Sequence, residues 1–282
     1  MNHNLDICII THNRKTQLIA TLENIWQQAG TSANIYVLDN GSTDGTDEAI
    51  RNLKFFDNLN YIRSLENRGV CRGRNILWRL SNSELLISMD DDIILTVESI
   101  QKMVDLIERS SEVGIISPLI VNAETGSIHN PIRRERSFNT RLYEACFLVR
   151  RTVVNRVGYL DRRLIYAGEG LDYAQRVIRA GYTIERAADI EVLHYDRYRG
   201  EVEEANRRLA WMWSFAYVYA KNFPPVMSIF LVLRNCAAHV RSGFPKFGLR
   251  FVKSLPSYAF NGMRSGLAQR KLILGAPRPK VR

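Results

Sequence analysis

The sequence predicts an α/β protein with a mostly parallel, Rossmann-like sheet, helices on both of its faces and a C-terminal helical extension. Short apolar segments alternate with amphipathic helical segments over about the first 200 residues, which is typical of βαβ units. Polar clusters directly follow three of the apolar segments, at Thr11, Asp39 and Asp90. The alternation then stops. We therefore expect one domain at 1–200 and a separate tail at 201–282.

The predicted elements follow one another at regular intervals. A first helix is expected because apolar residues recur at helical spacing from Leu18 to Ala29. A second helix follows the turn at 40–45 and carries acidic residues in its first turn, as a positive helix N-terminus favours. A third helix is expected at 69–80. The strands are predicted at short apolar segments, 5–10, 34–38, 59–63, 84–89 and 190–193.

Three consecutive carboxylates, Asp90 to Asp92, follow the strand at 84–89. Carboxylates this close repel one another, so a compensating cation is expected. Their hard oxygen ligands suit Mg²⁺ or Mn²⁺, and a diphosphate can complete the coordination. Ligands of such sheets bind beyond the carboxyl ends of the strands, so Thr11 and Asp39 are expected nearby. The alternative is a solvated acidic turn, or a helix cap at Asp92.

The net charge of +10 belongs to the C-terminal part of the chain. Residues 1–196 hold 23 Lys and Arg against 26 Asp and Glu, whereas residues 197–282 hold 16 Lys and Arg against three glutamates. This asymmetry indicates an anionic partner, either nucleic acid or a membrane surface. No Cys/His finger and no RNA-recognition signature occurs in the sequence, so we expect no nucleic acid.

The tail mixes aromatic and basic residues. Residues 209–220 and 222–233 are uncharged, and Pro224 and Pro225 interrupt a continuous helix. Each run is shorter than the roughly 18 residues that a membrane crossing requires. The mixture predicts that residues 205–282 lie on an anionic membrane surface as interfacial helices. The alternative is that the aromatic residues pack on the preceding domain.

The cysteines and the N-terminus suggest a location. The four cysteines are scattered and form no C-x-x-C pair, which favours a reducing compartment. An apolar strand begins soon after Met1, with no cleavable leader before it. We therefore expect a cytoplasmic protein, held peripherally at the inner face of the plasma membrane by its tail.

Seven ordered segments share their residues and spacing with a known family. They are Ile-Ile-Thr-His-Asn-Arg at 9–14, Val-Leu-Asp-Asn-Gly-Ser-Thr-Asp-Gly-Thr at 37–46, Asn-Arg-Gly-Val-Cys-Arg-Gly-Arg-Asn at 67–75, Met-Asp-Asp-Asp at 89–92, Gly-Tyr-Leu-Asp at 158–161, the stretch 169–181, and Val-Leu-His at 192–194. In these segments the chain resembles family 2 glycosyltransferases of the GT-A fold, over about residues 5–195. It departs at Gly73, where the family usually has alanine.

The resemblance implies a binding site for a nucleotide-sugar donor. Thr11 and Asp39 would contact a pyrimidine base, and Asp91 or Asp90 would bind the ribose. Asp39 would accept the N3 proton of the base; the alternative is turn chemistry in its Asp-Asn-Gly-Ser loop. Arg74 would lie near the donor phosphates, unless it is a surface residue of its helix. The residues that we expect at the donor are Thr11, Asn13, Arg14, Asp39, Arg74, Asp90 and Asp91.

The resemblance also implies a metal site, in which Asp92 and His194 hold Mn²⁺ or Mg²⁺ against the diphosphate. The general base is expected at the segment Glu-Gly-Leu-Asp, where the family usually reads E-D-x-D and this chain has Gly170. Glu169 is the first candidate, kept ionised by a helix N-terminus, and Asp172 is the second. The alternative for Asp172 is a helix N-cap.

The resemblance implies transfer of a sugar, from a UDP or dTDP donor, to a hydroxyl of a glycan or lipid-linked acceptor. Inversion at the anomeric carbon and a role in cell-surface polysaccharide or glycoconjugate synthesis are expected from the resemblance. The acceptor is expected to meet the stretch at 122–146, and a homodimer is left open. The alternatives are a degenerate donor-binding module and a protein or small-molecule acceptor. Another kind of nucleotide-binding enzyme, such as a nucleotidyltransferase or dehydrogenase, is disfavoured, because neither G-x-G-x-x-G after the first strand nor a P-loop lysine occurs.

Overall fold

The computed structural model describes residues 4–29, 33–53, 58–130, 142–165, 167–195 and 201–275. The chain forms two compact units. The first comprises Met1–Arg163 with Glu169–Arg197, and the second comprises Leu164–Gly168 with Tyr198–Arg282.

The first unit is built on one sheet whose strands are β1 (Leu5–Thr11), β2 (Asn34–Asp39), β3 (Leu59–Arg63), β4 (Leu85–Asp90), β5 (Ile93–Ile94), β6 (Val113–Asn122), β7 (Cys146–Arg150) and β8 (Thr183–His194). The order is β3-β2-β1-β4-β7-β6-β8-β5. The first four strands in this order run parallel, as do β6 and β8. Strand β7 is antiparallel to both neighbours, and β5 is antiparallel to β8.

The helices of this unit are α1 (Lys15–Ala29), α2 (Thr46–Arg51), α3 (Val70–Leu80), α4 (Val97–Glu108), α5 (Arg151–Val157) and α6 (Glu169–Arg179). The α/β class and the strands predicted in the first half of the chain are confirmed. A helix cap at Asp92 was a wrong alternative. Asp92 precedes the short strand β5, and Thr96 caps α4 by accepting a hydrogen bond from the Ser99 amide at 3.0 Å.

The centre of the sheet forms the core of the first unit. Strand β1 is buried along its whole length, as expected for a strand with neighbours on both sides and covered faces. Helix α1 adds Leu18, Leu22 and Ile25 to the same core. Each such side chain stabilises the fold by roughly 1.5–3 kcal/mol relative to leaving it in water. This packed core therefore holds the carboxyl ends of β1, β2 and β4 in fixed positions.

Close packing explains why residue 73 is a glycine. A Cβ atom at this position of α3 would lie 2.2 Å from Ile10 Cδ1 and 3.0 Å from Leu38 Cδ2. The side chain of Ile10 thus fills the volume that an alanine methyl group would need. The departure from the family's alanine therefore reflects close packing of α3 on β1 and β2.

The second unit contains α7 (Glu201–Asn222) and α8 (Pro225–Gly275). The predicted interruption at Pro224 is confirmed. The two helices approach closely at Gly262 and Gly266, where an added Cβ would lie 2.2 Å from the Trp213 carbonyl oxygen and 2.3 Å from the Tyr217 carbonyl oxygen, respectively. None of the helices in the described part of the chain combines the length and hydrophobicity that a membrane crossing requires. All four cysteines of the chain are free thiols.

Candidate active site

The three aspartates at the end of β4 point to different partners. Asp90 Oδ1 accepts a 2.6 Å hydrogen bond from Arg74 Nη2. Asp91 Oδ2 accepts a 2.6 Å hydrogen bond from Thr11 Oγ1, because β1 and β4 are adjacent and end at the same edge. Asp92 Oδ1 lies 3.3 Å from His194 Nε2, since β5 pairs with the end of β8. The strand order therefore brings residues from four sequence motifs together.

Asp90, Asp92 and His194 form a candidate cation site. One ligand atom from each residue lies within 4.8 Å of the others. Two carboxylate oxygens and one imidazole nitrogen are a donor set that suits Mn²⁺, and the oxygens also suit Mg²⁺. The residues therefore fit the metal that the sequence predicted. The geometry adds Asp90 to Asp92 and His194, whereas Asp91 turns toward Thr11.

The charges in this cluster are unevenly compensated. Burial would raise the pKa of Asp92, but hydrogen bonds and charge from His194 and Arg14 outweigh it and hold that pKa below its usual value. Burial raises the pKa of Asp90, and the neighbouring Arg74 opposes the shift only in part. Burial likewise raises the pKa of Asp91 to about 7, against the charge of Arg14. Arg14 and Arg74 thus offset only part of the cost of burying Asp90 and Asp91, and a bound cation would favour the ionised forms of these carboxyl groups.

Asp39 lies fully buried at the end of β2, level with Thr11 on β1. Its Oδ1 accepts a 2.7 Å hydrogen bond from the Ser42 amide, and its Oδ2 accepts a 2.9 Å hydrogen bond from the Tyr61 hydroxyl. Asp39 therefore does stabilise its own turn, as the alternative interpretation proposed. Each carboxylate oxygen has a second lone pair, so these bonds leave capacity for a base N–H.

Asn13 and Arg14 contact different groups at the end of β1. Asn13 adopts a positive φ of 52°. Its backbone amide donates a 2.9 Å hydrogen bond to Ser42 Oγ, and its side-chain Oδ1 accepts a 2.8 Å hydrogen bond from the Thr43 backbone amide. It therefore ties the turn after β2 to the end of β1. Arg14 points instead into the acidic cluster, with Nη1 3.2 Å from Asp91 Oδ1 and Nη2 donating to Asp92.

Arg74 is almost completely buried in α3, so the surface-residue alternative is wrong. One guanidinium nitrogen binds Asp90, while Nε and Nη1 are buried without a hydrogen-bond partner among the described residues. The charges of Asp90, Glu169 and Glu144 raise its pKa in spite of burial. A buried arginine with donors to spare is suited to bind phosphate oxygens.

Glu169 and Asp172 both lie in the first turn of α6, which begins at Glu169. Asp172 is therefore inside the helix, and the N-cap alternative was wrong. Its Oδ2 accepts a 3.0 Å hydrogen bond from Arg176 Nε, which commits it to an ion pair along α6. Glu169 is 6% exposed, and its Oε2 has no hydrogen-bond partner among the described residues.

The helix N-terminus does not keep Glu169 ionised, contrary to the expectation from sequence. Burial, together with the charge of Glu144, raises the pKa of Glu169 to about 8, although Arg74 opposes the shift. Desolvation of a carboxylate here outweighs the modest effect of a helix dipole. Glu169 thus has a proton affinity suited to a base that works near neutral pH.

Glu144 is the residue of this site that the sequence did not reveal. Its Oε1 accepts a 2.6 Å hydrogen bond from the Gly170 amide. Glu144 lies two residues before β7, whose pairing with β4 no local pattern predicted. The expected acceptor stretch at 122–146 includes Glu144, but its residues 131–141 lie outside the described residues.

The sheet edge thus combines a buried acceptor for a base N–H, a carboxylate–histidine cation site and a buried arginine beside carboxyl groups. These features are of the kind that a nucleoside diphosphate and a divalent cation require. Residues 6–164 match the sequence profile of Glycosyl transferase family 2, which is more than half of the chain. The chain therefore belongs to Glycosyl transferase family 2.

Curated relatives are matched over part of their length. An uncharacterised glycosyltransferase of Haemophilus influenzae is 26% identical over 112 residues, which are 40% of this chain and 37% of that protein. The uncharacterised glycosyltransferase YfnE of Bacillus subtilis is 29% identical over 110 residues, which are 39% of this chain and 28% of that protein. The match therefore spans well under two thirds of either relative.

Solved structures share the fold. The mannosyltransferase PcManGT of Pyrobaculum calidifontis, in complex with GDP-Man and Mn²⁺, has a TM-score of 0.62 and 17% identity over 95% of this chain and 86% of that chain. S. aureus TarS 1–349, in complex with UDP-GlcNAc, has a TM-score of 0.70 and 13% identity over 93% of this chain and 81% of that chain. At these identities the likeness establishes the GT-A fold alone.

Proposed function

We propose that the chain transfers a sugar from a UDP or dTDP donor to a hydroxyl group of a glycan or lipid-linked acceptor, with inversion at the anomeric carbon. The observation that carries the proposal is the meeting of Asp39, the Asp90–Asp92 cluster, Arg74 and Glu169 in one unit of the chain. The proposed setting is synthesis of a cell-surface polysaccharide or glycoconjugate, in which such acceptors are made.

The donor would be held from its base to its diphosphate along the ends of β2, β1 and β4. Asp39 accepts the N3 proton that uracil and thymine carry, which is why UDP and dTDP are favoured. Thr11 holds Asp91 by its 2.6 Å hydrogen bond, so that Asp91 presents a fixed oxygen to the ribose hydroxyls. Arg14 and Arg74 supply guanidinium groups for phosphate oxygens.

Asp92, His194 and Asp90 would hold Mn²⁺ or Mg²⁺. When bound, the cation supplies Lewis-acid stabilisation of the charge that develops on the leaving group. His194 is a reason to prefer Mn²⁺, since imidazole is a better ligand for Mn²⁺ than for Mg²⁺.

The chemical step is direct displacement at the anomeric carbon. The acceptor oxygen forms a bond to that carbon, the bond to the diphosphate oxygen breaks with its electron pair, and a carboxylate takes the acceptor proton. Glu169 is the base that the sequence proposes, and its raised pKa suits this role. Asp172 is a weaker candidate, because Arg176 occupies its carboxylate.

The second unit would hold the enzyme at an anionic membrane, on the cytoplasmic face where nucleotide sugars are available. The support is an exposed apolar face on α8, formed by Val226, Ile229, Phe230 and Leu233 at helical spacing. Exposed Arg234 flanks this face, and no Asp or Glu occurs from residue 205 to the end of the chain. This combination fits an interfacial helix.

The proposal is tested by donor binding and turnover. A panel of UDP-, dTDP- and GDP-sugars with Mn²⁺ should raise the melting temperature selectively for UDP- or dTDP-sugars, since a ligand of the folded state stabilises it by mass action. The same donors should release their nucleoside diphosphate slowly in water and faster with an acceptor hydroxyl. Stabilisation without any release would instead favour the degenerate donor-binding module. Light scattering of the purified protein tests the homodimer.

A further inference from the structure

Gly170 leaves space that another residue fills. A Cβ atom at position 170 would lie 2.4 Å from Glu144 Oε1 and 2.1 Å from the Leu142 carbonyl oxygen. The Glu144 carboxylate therefore stands where the first atoms of an aspartate side chain at position 170 would be. An acidic group therefore lies where an aspartate at position 170 would place one, but it belongs to a different segment of the chain.

The antiparallel direction of β7 explains how Glu144 reaches this place. Strand β7 starts where β4 ends, with Cys146 paired to Met89, and the Asp90 amide donates to the Ala145 carbonyl at 2.9 Å. Residues just before β7 therefore lie at the same sheet edge as Asp90. The amide of Gly170, in the first turn of α6, then fixes Glu144 Oε1 at 2.6 Å.

Glu144 is also the more accessible of the two glutamates. It is partly exposed, whereas Glu169 is buried. The two carboxyl groups interact electrostatically with each other and with Arg74. A partly exposed carboxylate with a fixed orientation can meet an incoming hydroxyl group, which a buried one reaches less easily.

We infer that Glu144 is a catalytic residue of this enzyme, and that its carboxylate takes the proton from the acceptor hydroxyl, with Glu169 as its buried partner. This rests on the proposed function. As the acceptor oxygen bonds to the anomeric carbon, its O–H bond breaks and the proton goes to Glu144, while the electron pair of the glycosidic bond leaves with the nucleoside diphosphate. The oxygen held by the Gly170 amide stays in place, so the other oxygen receives the proton.

The test is turnover by Glu144→Gln in the full-length protein. The readout is Mn²⁺-dependent release of nucleoside diphosphate from the donor that gives the largest thermal shift in the panel, with water as acceptor. We expect kcat to fall by roughly 100-fold or more, the usual contribution of a general base. The donor-induced thermal shift should remain, because the proposal places Glu144 at the acceptor hydroxyl and not at the nucleotide. Glu112→Gln, the same change at an exposed glutamate, is the matched control.

Glu144→Ala provides a second, independent readout. Added formate should restore part of its turnover, since a small carboxylate can replace the missing base, and should not affect Glu112→Gln. Turnover of Glu144→Gln within about threefold of wild type, or no rescue of an inactive but donor-binding Glu144→Ala by formate, would overturn the assignment and leave the proposed function standing. A wild-type protein that neither binds nor turns over any donor would instead overturn the proposed function itself.

Discussion

Thr11 Oγ1 donates a 2.6 Å hydrogen bond to Asp91 Oδ2, which joins the ends of β1 and β4. Both residues are buried. Thr11→Val keeps the shape of the side chain but leaves Asp91 without this donor, so we expect a loss of about 1–3 kcal/mol in the free energy of unfolding. We also expect weaker donor binding, because Asp91 loses its fixed orientation. Urea denaturation and UDP–Mn²⁺ titration measure the two effects.

Thr11→Ser is the control, since it retains the hydroxyl group. It should keep donor affinity close to that of the wild type. If Thr11→Ser weakens donor binding as much as Thr11→Val does, then the hydrogen bond to Asp91 is not what maintains donor affinity at this position.

The cation site predicts that Mn²⁺-dependent UDP binding requires His194 and Asp92. His194→Ala and Asp92→Asn should each weaken Mn²⁺-dependent UDP binding at least tenfold, because each removes one of three grouped ligands. Calorimetric titration of UDP at several Mn²⁺ concentrations measures this. Asp105→Asn, which changes an exposed carboxylate on α4, should behave as the wild type. UDP binding that is independent of Mn²⁺ in the wild type would contradict the site.

Glu169 predicts how stability changes with pH. Its folded-state pKa of about 8 lies above the usual value of 4.5, because of burial and the charges of Glu144 and Asp90, which Arg74 opposes. Between these values the folded protein keeps a proton that the unfolded chain has released, so raising the pH lowers stability. Glu169→Gln cannot ionise. It should be more stable than the wild type at pH 8.5, by roughly 1–3 kcal/mol after allowance for coupling, and equal to it at pH 4.5.

Thermal or urea denaturation of both proteins across this range gives the difference directly. The difference between variant and wild type is the useful quantity, because all other titrating groups cancel to a first approximation. A difference that stays constant from pH 4.5 to 8.5 would show that the pKa of Glu169 is not raised.

The sequence predicted the half of the site that depends on local patterns. Thr11, Asp39 and Asp90 each follow an apolar strand, and parallel strands order their carboxyl ends at one edge, so their proximity could be foreseen. Glu144 could not be foreseen, because its position depends on an antiparallel strand, β7, whose partner is more than 50 residues away in sequence. No periodicity encodes such a pairing.

The pKa of Glu169 shows a second limit. Its place at a helix start was predicted, and that alone would favour the ionised form. Its burial and the nearby Glu144 arise only when α6, α3 and the start of β7 come together, and they reverse the effect. The sequence leaves two roles for Asp172 for a related reason: a difference of one turn in where α6 begins decides whether Asp172 caps the helix or pairs with Arg176.

The exposed face of α8 predicts binding to anionic membranes. Full-length protein should co-sediment with vesicles that contain phosphatidylserine or phosphatidylglycerol and much less with pure phosphatidylcholine, because burial of apolar side chains and attraction of basic residues act together. Phe230→Asp with Leu233→Asp places charge in the apolar face and should reduce binding at least tenfold. Leu65→Asp, at a fully exposed leucine of the first unit, is the matched control.

Salt separates the two contributions to this binding. Electrostatic attraction is screened at high ionic strength, so binding should fall as NaCl rises from 50 to about 500 mM. Arg234→Glu with Arg241→Glu should lower vesicle binding and make what remains less sensitive to salt, since fewer basic residues contribute. Equal recovery of the wild type and both double variants with anionic vesicles would show that α8 does not contact the membrane, and its apolar face would then need a protein partner.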